Sequence, residues 1–93
     1  MPYELDFAES AAREWGKLDS TVKRQFAKKL TERLENPHVP SSRLHDMKDC
    51  YKIKLRASGY RLVYRVEDRT VTVFVIAVGK REKNRVYVNA QDR

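Results

Sequence analysis

Residues 51–65 read Tyr51-Lys52-Ile53-Lys54-Leu55-Arg56-Ala57-Ser58-Gly59-Tyr60-Arg61-Leu62-Val63-Tyr64-Arg65. In the first half the odd positions (Tyr51, Ile53, Leu55) are apolar and the even ones (Lys52, Lys54, Arg56) are basic. That period of two marks a strand buried on one side only. Ser58-Gly59 then predicts a reversal, and Leu62, Tyr64 and Val66 continue the apolar face. Matching the two oily faces through a two-residue turn at Ser58-Gly59 sets Leu55 opposite Leu62 and Ile53 opposite Tyr64. Arg56 then faces Arg61, Lys54 faces Val63, and Lys52 faces Arg65. A slip by one residue would drive lysines into the core. The stretch holds five basic residues and no acidic one. Like charges opposed across strands are unfavourable, so a face of this kind calls for an anionic partner.

Downstream, Glu67-Asp68-Arg69 predicts a turn into residues 70–78, the most β-prone segment of the chain. It is apolar on both sides from Val73 onward, as a central strand requires. Upstream, residues 3–7 alternate weakly and predict a short strand. Asp6 with Glu9 resembles a capping box, opening a helix whose stripe is Ala8, Ala11, Ala12, Trp15 and Leu18. Asp19 or Ser20 caps a second helix with Val22, Phe26, Leu30 and Leu34 along one face. Lys23, Arg24, Lys28, Lys29, Glu32, Arg33 and Glu35 are expected on its outer surface, and Asn36-Pro37 ends it. The Pro- and Ser-containing residues 36–50 form a loop anchored by Leu44 and Met47. The expected fold is α+β. It has an N-terminal strand, an antiparallel helix pair and an antiparallel β-sheet with a basic exposed face, in a single domain spanning residues 1–93.

Ninety-three residues suffice for one modest core. No apolar run reaches the roughly 18 residues of a membrane span, and the N-terminus lacks the pattern of a signal peptide. Cys50 is the sole cysteine, so it reads as a small buried hydrophobe, and no Cys/His set has zinc spacing. A soluble cytoplasmic protein without metal or cofactor is expected. His38 and His45 lie seven apart in a polar loop and read as surface residues rather than an acid–base pair. The net charge of +7 is asymmetric: residues 1–49 hold nine basic and nine acidic side chains, residues 50–93 eleven and four. The excess sits on the half that predicts a sheet, and continues through Lys80, Arg81, Lys83 and Arg85 towards Tyr87. A surface for a phosphate backbone follows.

Concentrated Lys and Arg without carboxylates suits phosphate chemistry by charge stabilisation. A ribonucleotide phosphodiester is cleaved by its own 2′-hydroxyl once that proton is removed and the phosphorane's charge is met, a task for Arg forks. An ordinary lysine is a poor base at about pKa 10.4, but neighbouring positive charge lowers Lys52 or Lys54 towards usefulness. A basic strand face is nonetheless more often a binding surface than an active site. Read this far, the residues say that the chain binds RNA and leave cleavage open.

The runs Cys50–Arg56, Ser58–Tyr64 and Val78–Glu82, with the early Leu5-Asp6-Phe7, Glu14-Trp15 and Lys17-Leu18, closely resemble the RelE toxins over nearly the whole chain. The resemblance implies a toxin of a type II toxin–antitoxin pair that enters the ribosomal A site and cleaves the mRNA there without a metal. It implies that Lys52 and Lys54 activate the 2′-hydroxyl and stabilise the phosphate, and that Arg61 binds the scissile phosphate. Arg81 would protonate or stabilise the leaving 5′-oxygen, and Tyr87 would stack on the codon. Arg56, Arg65, Lys80, Lys83 and Arg85 are expected to dock RNA or the ribosome. The implied partners are a RelB-like antitoxin, helical and partly acidic, and the ribosome carrying mRNA. Family members commonly end in a short helix, whereas residues 88–93 here lack an apolar anchor. Two other readings stand beside this one: a gyrase-inhibiting toxin of the same superfamily, and a non-catalytic RNA- or ribosome-binding module.

Overall fold

The structure, a computed structural model, describes residues 2–80 of the chain. Strand β1 (Glu4–Phe7) leads into helices α1 (Glu9–Gly16) and α2 (Ser20–Glu35), then a 3-10 turn (Pro40–Ser42). Strands β2 (Cys50–Leu55), β3 (Tyr60–Glu67) and β4 (Thr72–Lys80) follow as an antiparallel meander. The sheet order is β1-β4-β3-β2, with β1 added parallel to β4, so the sheet is mixed and β4 is internal. The expected α+β architecture is observed. The parallel placement of β1 was not legible in a strand of four residues.

One face of the sheet carries the main core. Val22, Phe26 and Leu30 of α2, with Ala11 and Leu18, pack against Tyr51, Ile53, Leu55, Leu62, Tyr64, Val66, Val73, Val75 and Val78. Each large aliphatic residue so buried stabilises the fold by about 1.5–3 kcal/mol. The opposite face bears a smaller cluster of Cys50, Val63, Ile76 and Ala77, roofed by Leu44, Met47 and Phe74. Burial pushes the Cys50 thiol's pKa up, as befits a packed hydrophobe. A register shift between Val63 and Tyr64 adds one residue, Ile76, to the β4 side and lets consecutive residues of β4 be buried.

The hairpin register differs from the expectation by two residues. Ile53 pairs with Leu62, Leu55 with Tyr60, Lys54 with Arg61, and Lys52 with Val63. The turn therefore spans residues 56–59, with Gly59 at φ 76° and its N–H donating to the Leu55 carbonyl at 2.9 Å. Serine does not readily adopt the positive φ that a two-residue primed turn demands, whereas the longer turn asks it of Gly59 alone. A shift of two preserves both faces, so facial assignment alone does not distinguish the two registers.

Two further expectations are corrected. Asp6 does not cap α1: it lies within β1, and its carboxylate accepts from the N–H of Phe7 at 2.9 Å, while Ala8 occupies the N-cap position without a side-chain bond. Asp19 does cap α2, accepting from the Val22 N–H at 2.9 Å. Arg33 does not lie on the outer surface of α2 but turns inward. Its guanidinium donates to the Tyr64 hydroxyl at 2.9 Å, Ser42 Oγ at 3.1 Å and the Lys52 carbonyl at 3.4 Å. Tyr64 donates in turn to the Pro37 carbonyl at 2.7 Å and stacks on Tyr51. Burial raises the Tyr64 pKa against the opposing pull of Arg33, which keeps the phenol a donor.

This network continues to the surface. His38 bridges the Tyr51 hydroxyl at 3.1 Å and Asp68 at 3.0 Å, and Tyr3 donates to Asp68 at 2.7 Å. His38 is therefore a structural tie, and His45 is exposed in the loop. Hydrogen bonds from Tyr3 and His38 hold the Asp68 pKa below its ordinary value. The stabilisation is present above the ordinary aspartate pKa and is lost as pH falls through the lowered one. Glu14 fastens α1 to the sheet by accepting from the Val78 N–H at 3.1 Å.

Between β3 and β4, Val71 stands at φ 51° and is 44% exposed. A β-branched residue in the left-handed region is strained by roughly 1–2 kcal/mol, with little packing in return. Val71→Asn, which tolerates that region, is expected to raise the unfolding free energy by about 1 kcal/mol in urea denaturation; an unchanged or lower midpoint would contradict the strain.

Candidate active site

The candidate site lies at the turn end of the β2–β3 hairpin, where β2 is an outer strand of the sheet. Alternation sends Ile53 and Leu55 to the helices, and so puts Lys52 and Lys54 together on the other face. Lys54 is exposed, Lys52 half-buried. Directly across from Lys54 stands Arg61, only 9% exposed, flanked on its other side by Gly79 of β4. The structure thus brings three of the candidate residues, Lys52, Lys54 and Arg61, into one group. Arg56 joins them from the turn: Lys54, Leu55, Arg56, Gly59, Tyr60 and Arg61 line a groove of about 250 Å³.

Crowding these cations has a chemical result. The charge of Lys52 lowers the pKa of Lys54, and Arg61, reduced hydration, contact with Lys52 and Arg56 all act in the same direction. A folded-state pKa lowered in a lysine means that the fold binds its proton less well than the unfolded chain does. The group therefore opposes folding while charged, and that opposition fades as pH rises through the lowered value. The same perturbation makes the neutral amine of Lys54 more available.

Other candidates are placed differently. Arg65 sits four residues further along β3, on the order of 13 Å from Arg61 by strand rise. There it is tied to Glu67 at 2.7 and 3.1 Å and lies over the Phe74 ring at 5.2 Å. Lys80, exposed, stands opposite Tyr60 with its ammonium 5.6 Å from the ring centroid. β4 thus delivers the chain to the same end of the sheet. Arg81, Lys83, Arg85 and Tyr87 follow it in sequence and lie outside the described residues.

Arg33 and Tyr60 were not singled out by sequence reasoning. Arg33 holds the backbone of Lys52, and Tyr60 carries Lys80; only their partners in space reveal either role. Among the described residues, no group of three His, Cys, Asp or Glu side chains gathers as metal ligands, and no helix is long and apolar enough to cross a membrane.

A small α+β domain with a cationic hairpin edge is one that comparison places in a class. The family model described as "ParE toxin of type II toxin-antitoxin system, parDE" matches residues 5–85. A curated relative, "mRNA interferase toxin RelE" of Escherichia coli (strain K12), is 59% identical over 93 residues, covering 100% of this chain and 98% of the relative. A "Putative RelE-like toxin protein" of Escherichia coli is 55% identical over the same extent, again covering 98% of it. Among solved structures, an arginine-to-alanine double mutant of E. coli toxin RelE in the free state aligns with a TM-score of 0.92. It is 58% identical and covers 100% of this chain and 98% of that one. The toxin in the intact E. coli RelBE toxin–antitoxin complex aligns at 0.84 and 61% identity, over 86% of this chain and 98% of that one. The chain belongs to the RelE family of type II toxins.

If Lys52 is the main cause of the shift at Lys54, Lys52→Met is expected to raise the Lys54 pKa towards the ordinary lysine value, read by NMR titration of the side-chain Cε resonance. An unmoved titration would reject the coupling.

Proposed function

We propose that this chain is the toxin of a type II toxin–antitoxin pair and acts as a metal-independent endoribonuclease, cleaving mRNA in the ribosomal A site and so inhibiting translation. What carries the reading is the juxtaposition of Lys52, Lys54 and Arg61 on one sheet end, in a chain 59% identical to an mRNA interferase. The whole chain, 1–93, serves as one toxin domain, and its place of work is the cytoplasm, with the ribosome.

In the proposed reaction Lys54, left neutral more of the time by its cationic neighbours, accepts the proton of the 2′-hydroxyl. The freed oxygen attacks phosphorus, and the bond to the 5′-oxygen breaks. The products are a 2′,3′-cyclic phosphate and a 5′-hydroxyl. Lys52 and the Arg61 fork meet the charge that builds on the non-bridging oxygens, where preorganised donors count most. Arg81 is assigned the leaving 5′-oxygen, which it stabilises and protonates to give the 5′-hydroxyl, its proton being restored from solvent, and Tyr87 the stacking of the codon. Arg56 and Lys80, with Lys83 and Arg85, dock RNA around them. Arg65, already engaged with Glu67, has the weaker claim to docking. A RelB-like antitoxin with helical, partly acidic segments is the proposed restraint on the free toxin, since solved relatives include the RelBE toxin–antitoxin complex.

Primer-extension assay of mRNA on programmed ribosomes tests the chemistry. General-base catalysis contributes about 10²–10⁴-fold, so Lys54→Arg, which keeps the charge but cannot deprotonate, is expected to lose at least about 100-fold in rate. The wild-type rate is expected to climb about tenfold per pH unit and level off below about pH 10.4, the value of an ordinary lysine. A near-wild-type rate in Lys54→Arg would remove Lys54 as the base. Arg81→Ala is expected to lose cleavage while still binding ribosomes.

The matching family model carries the ParE name, which keeps the gyrase-inhibiting alternative in view. The lysine–arginine–tyrosine set, complete in this sequence, argues for RNA instead. No inhibition of gyrase supercoiling is expected at toxin concentrations that arrest translation; inhibition there would reverse the assignment.

A further inference from the structure

Helix α2 carries five bases, Lys23, Arg24, Lys28, Lys29 and Arg33, and the last of them is set apart by its place on the helix. Val22, Phe26 and Leu30 are buried along α2 at steps of four, and the next residue on that face, three further on, is Arg33. A guanidinium brought to the inner side of a helix loses part of its hydration and has to recover it in hydrogen bonds. Arg33 recovers it from three neutral oxygens on three segments: the Tyr64 hydroxyl of β3, Ser42 Oγ of the loop and the Lys52 carbonyl of β2. None of the three is a carboxylate. For fastening the helix alone, an apolar side chain of similar length would serve without the desolvation cost of a cation. The arginine at this position directs attention to where its fork is aimed.

Backbone carbonyls of an antiparallel strand alternate in direction from residue to residue. The Cys50 carbonyl faces the outer side of β2, where the Leu44 N–H reaches it at 2.9 Å. Two residues on, the Lys52 carbonyl faces the same side, and Arg33 reaches it at 3.4 Å. The outer edge of β2 is thus pinned at two points, by the loop at Cys50 and by α2 at Lys52. The second pin lies within the candidate site itself, with Lys54 two residues beyond it. The charge of Lys52 is the largest cause of the lowered Lys54 pKa, and a Coulomb interaction weakens with distance. Whatever sets the spacing of these two side chains therefore sets how strongly they are coupled.

We propose that Arg33 is a positioning residue for RNA cleavage: by holding the Lys52 carbonyl from α2, it fixes the spacing and aim of Lys52 and Lys54. This rests on the reading of the chain as an mRNA-cleaving toxin, and adds to it a residue to which the resemblance assigns no role. Both terminal nitrogens of the guanidinium are engaged within the fold, so Arg33 acts through Lys52 and not on the message. Tyr64 keeps the fork in place. Its hydroxyl accepts from Arg33 at 2.9 Å and is itself fixed by donating to the Pro37 carbonyl at 2.7 Å. An ammonium in place of the planar fork could not span acceptors on three segments at once.

Arg33→Met, which keeps an unbranched stem in the stripe and removes the fork, tests this in the full chain. On the toxin alone, the carbonyl carbon resonance of Lys52 is expected to move upfield as its hydrogen bond is lost, and the Lys54 titration to rise towards the ordinary lysine value. On programmed ribosomes at neutral pH, the cleavage rate at saturating toxin is expected to fall about tenfold, less than the roughly 100-fold that a 1 Å misplacement can cost. The toxin concentration giving half the maximal rate should stay unchanged, and the plateau of the pH–rate profile should move up with the Lys54 titration. A role in stability alone would lower the unfolding midpoint and move none of these. Arg33→Lys, which keeps the charge without the fork, is expected to recover only part of the rate. Tyr64→Phe leaves the ring in the core and removes the anchor of the fork; it should shift the Lys52 resonance and the rate in the same direction, and decides the question if Arg33→Met does not fold. A wild-type saturated rate in either variant would overturn the proposal. So would a loss confined to half-saturation, which would make Arg33 an RNA contact, or full recovery in Arg33→Lys, which would assign the effect to charge alone. Wild-type toxin that leaves mRNA intact on ribosomes would defeat the nuclease reading, whereas the Lys52 resonance and the Lys54 titration would still decide whether Arg33 sets the lysine pair.

Discussion

Mutual repulsion among Lys52, Lys54 and Arg61 is the constraint around which this domain is arranged. Left to themselves, three cations on paired strands would move apart. They are held because the reverse side of the same strands is Ile53, Leu55, Leu62 and Tyr64, all within the main core. A like-charge pair across strands costs roughly 0.2–1 kcal/mol. Burying each of those apolar side chains stabilises by about 1.5–3 kcal/mol, so the core wins by a wide margin. The strand's period of two ties the outcomes together: whatever seats the apolar residues also gathers the charges. The lowered proton affinity of Lys54 is the electrostatic trace of that compulsion.

The outer strand needs more than its pairing with β3 to hold such a group in place. Arg33 supplies a second attachment by reaching from α2 to the Lys52 carbonyl, Ser42 and Tyr64 at once. Tyr64 passes the connection to Pro37, and Tyr51 and His38 pass it to Asp68 and Tyr3. Helix, loop, hairpin and the β3–β4 turn are thus joined behind the site by two sets of hydrogen bonds that meet where Tyr64 stacks on Tyr51. A guanidinium with its fixed fork suits this junction better than an ammonium would. The site is mounted on regular structure with hydrogen-bonded support, the arrangement that holds reacting groups to narrow tolerances.

Much of this was legible in residues 51–65. Alternation identified the strands, the buried face and the gathering of cations, because burial on one side leaves a direct imprint on sequence. The register was not legible, since a shift of two leaves that imprint unchanged and only the turn's backbone decides between Ser58-Gly59 and residues 56–59. Asp6 matched a capping pattern, yet pairing of β1 with β4 extended the strand over it. Arg33 looked like any other charged position on an amphipathic helix, as its destination depends on where the sheet lies. The half-chain tally of charge hid the basicity of α2 because acids close in sequence stand on the far side of the fold. Arg81 and Tyr87 took their roles from family likeness, and they lie beyond the described residues.

The outermost position of β2 has a consequence for solubility. Such a strand leaves backbone donors and acceptors unmatched along its outer side, and a second copy of the same chain is the commonest thing to satisfy them. In the first half of the strand, Arg43 bridges Tyr51 and the loop covers the edge. Beyond Tyr51, Lys52 and Lys54 remain as the guard. Approaching copies would bring like ammonium groups together, which disfavours pairing at this edge. The lysines proposed for RNA chemistry are thus also the residues that disfavour edge-to-edge pairing of the strand that carries them.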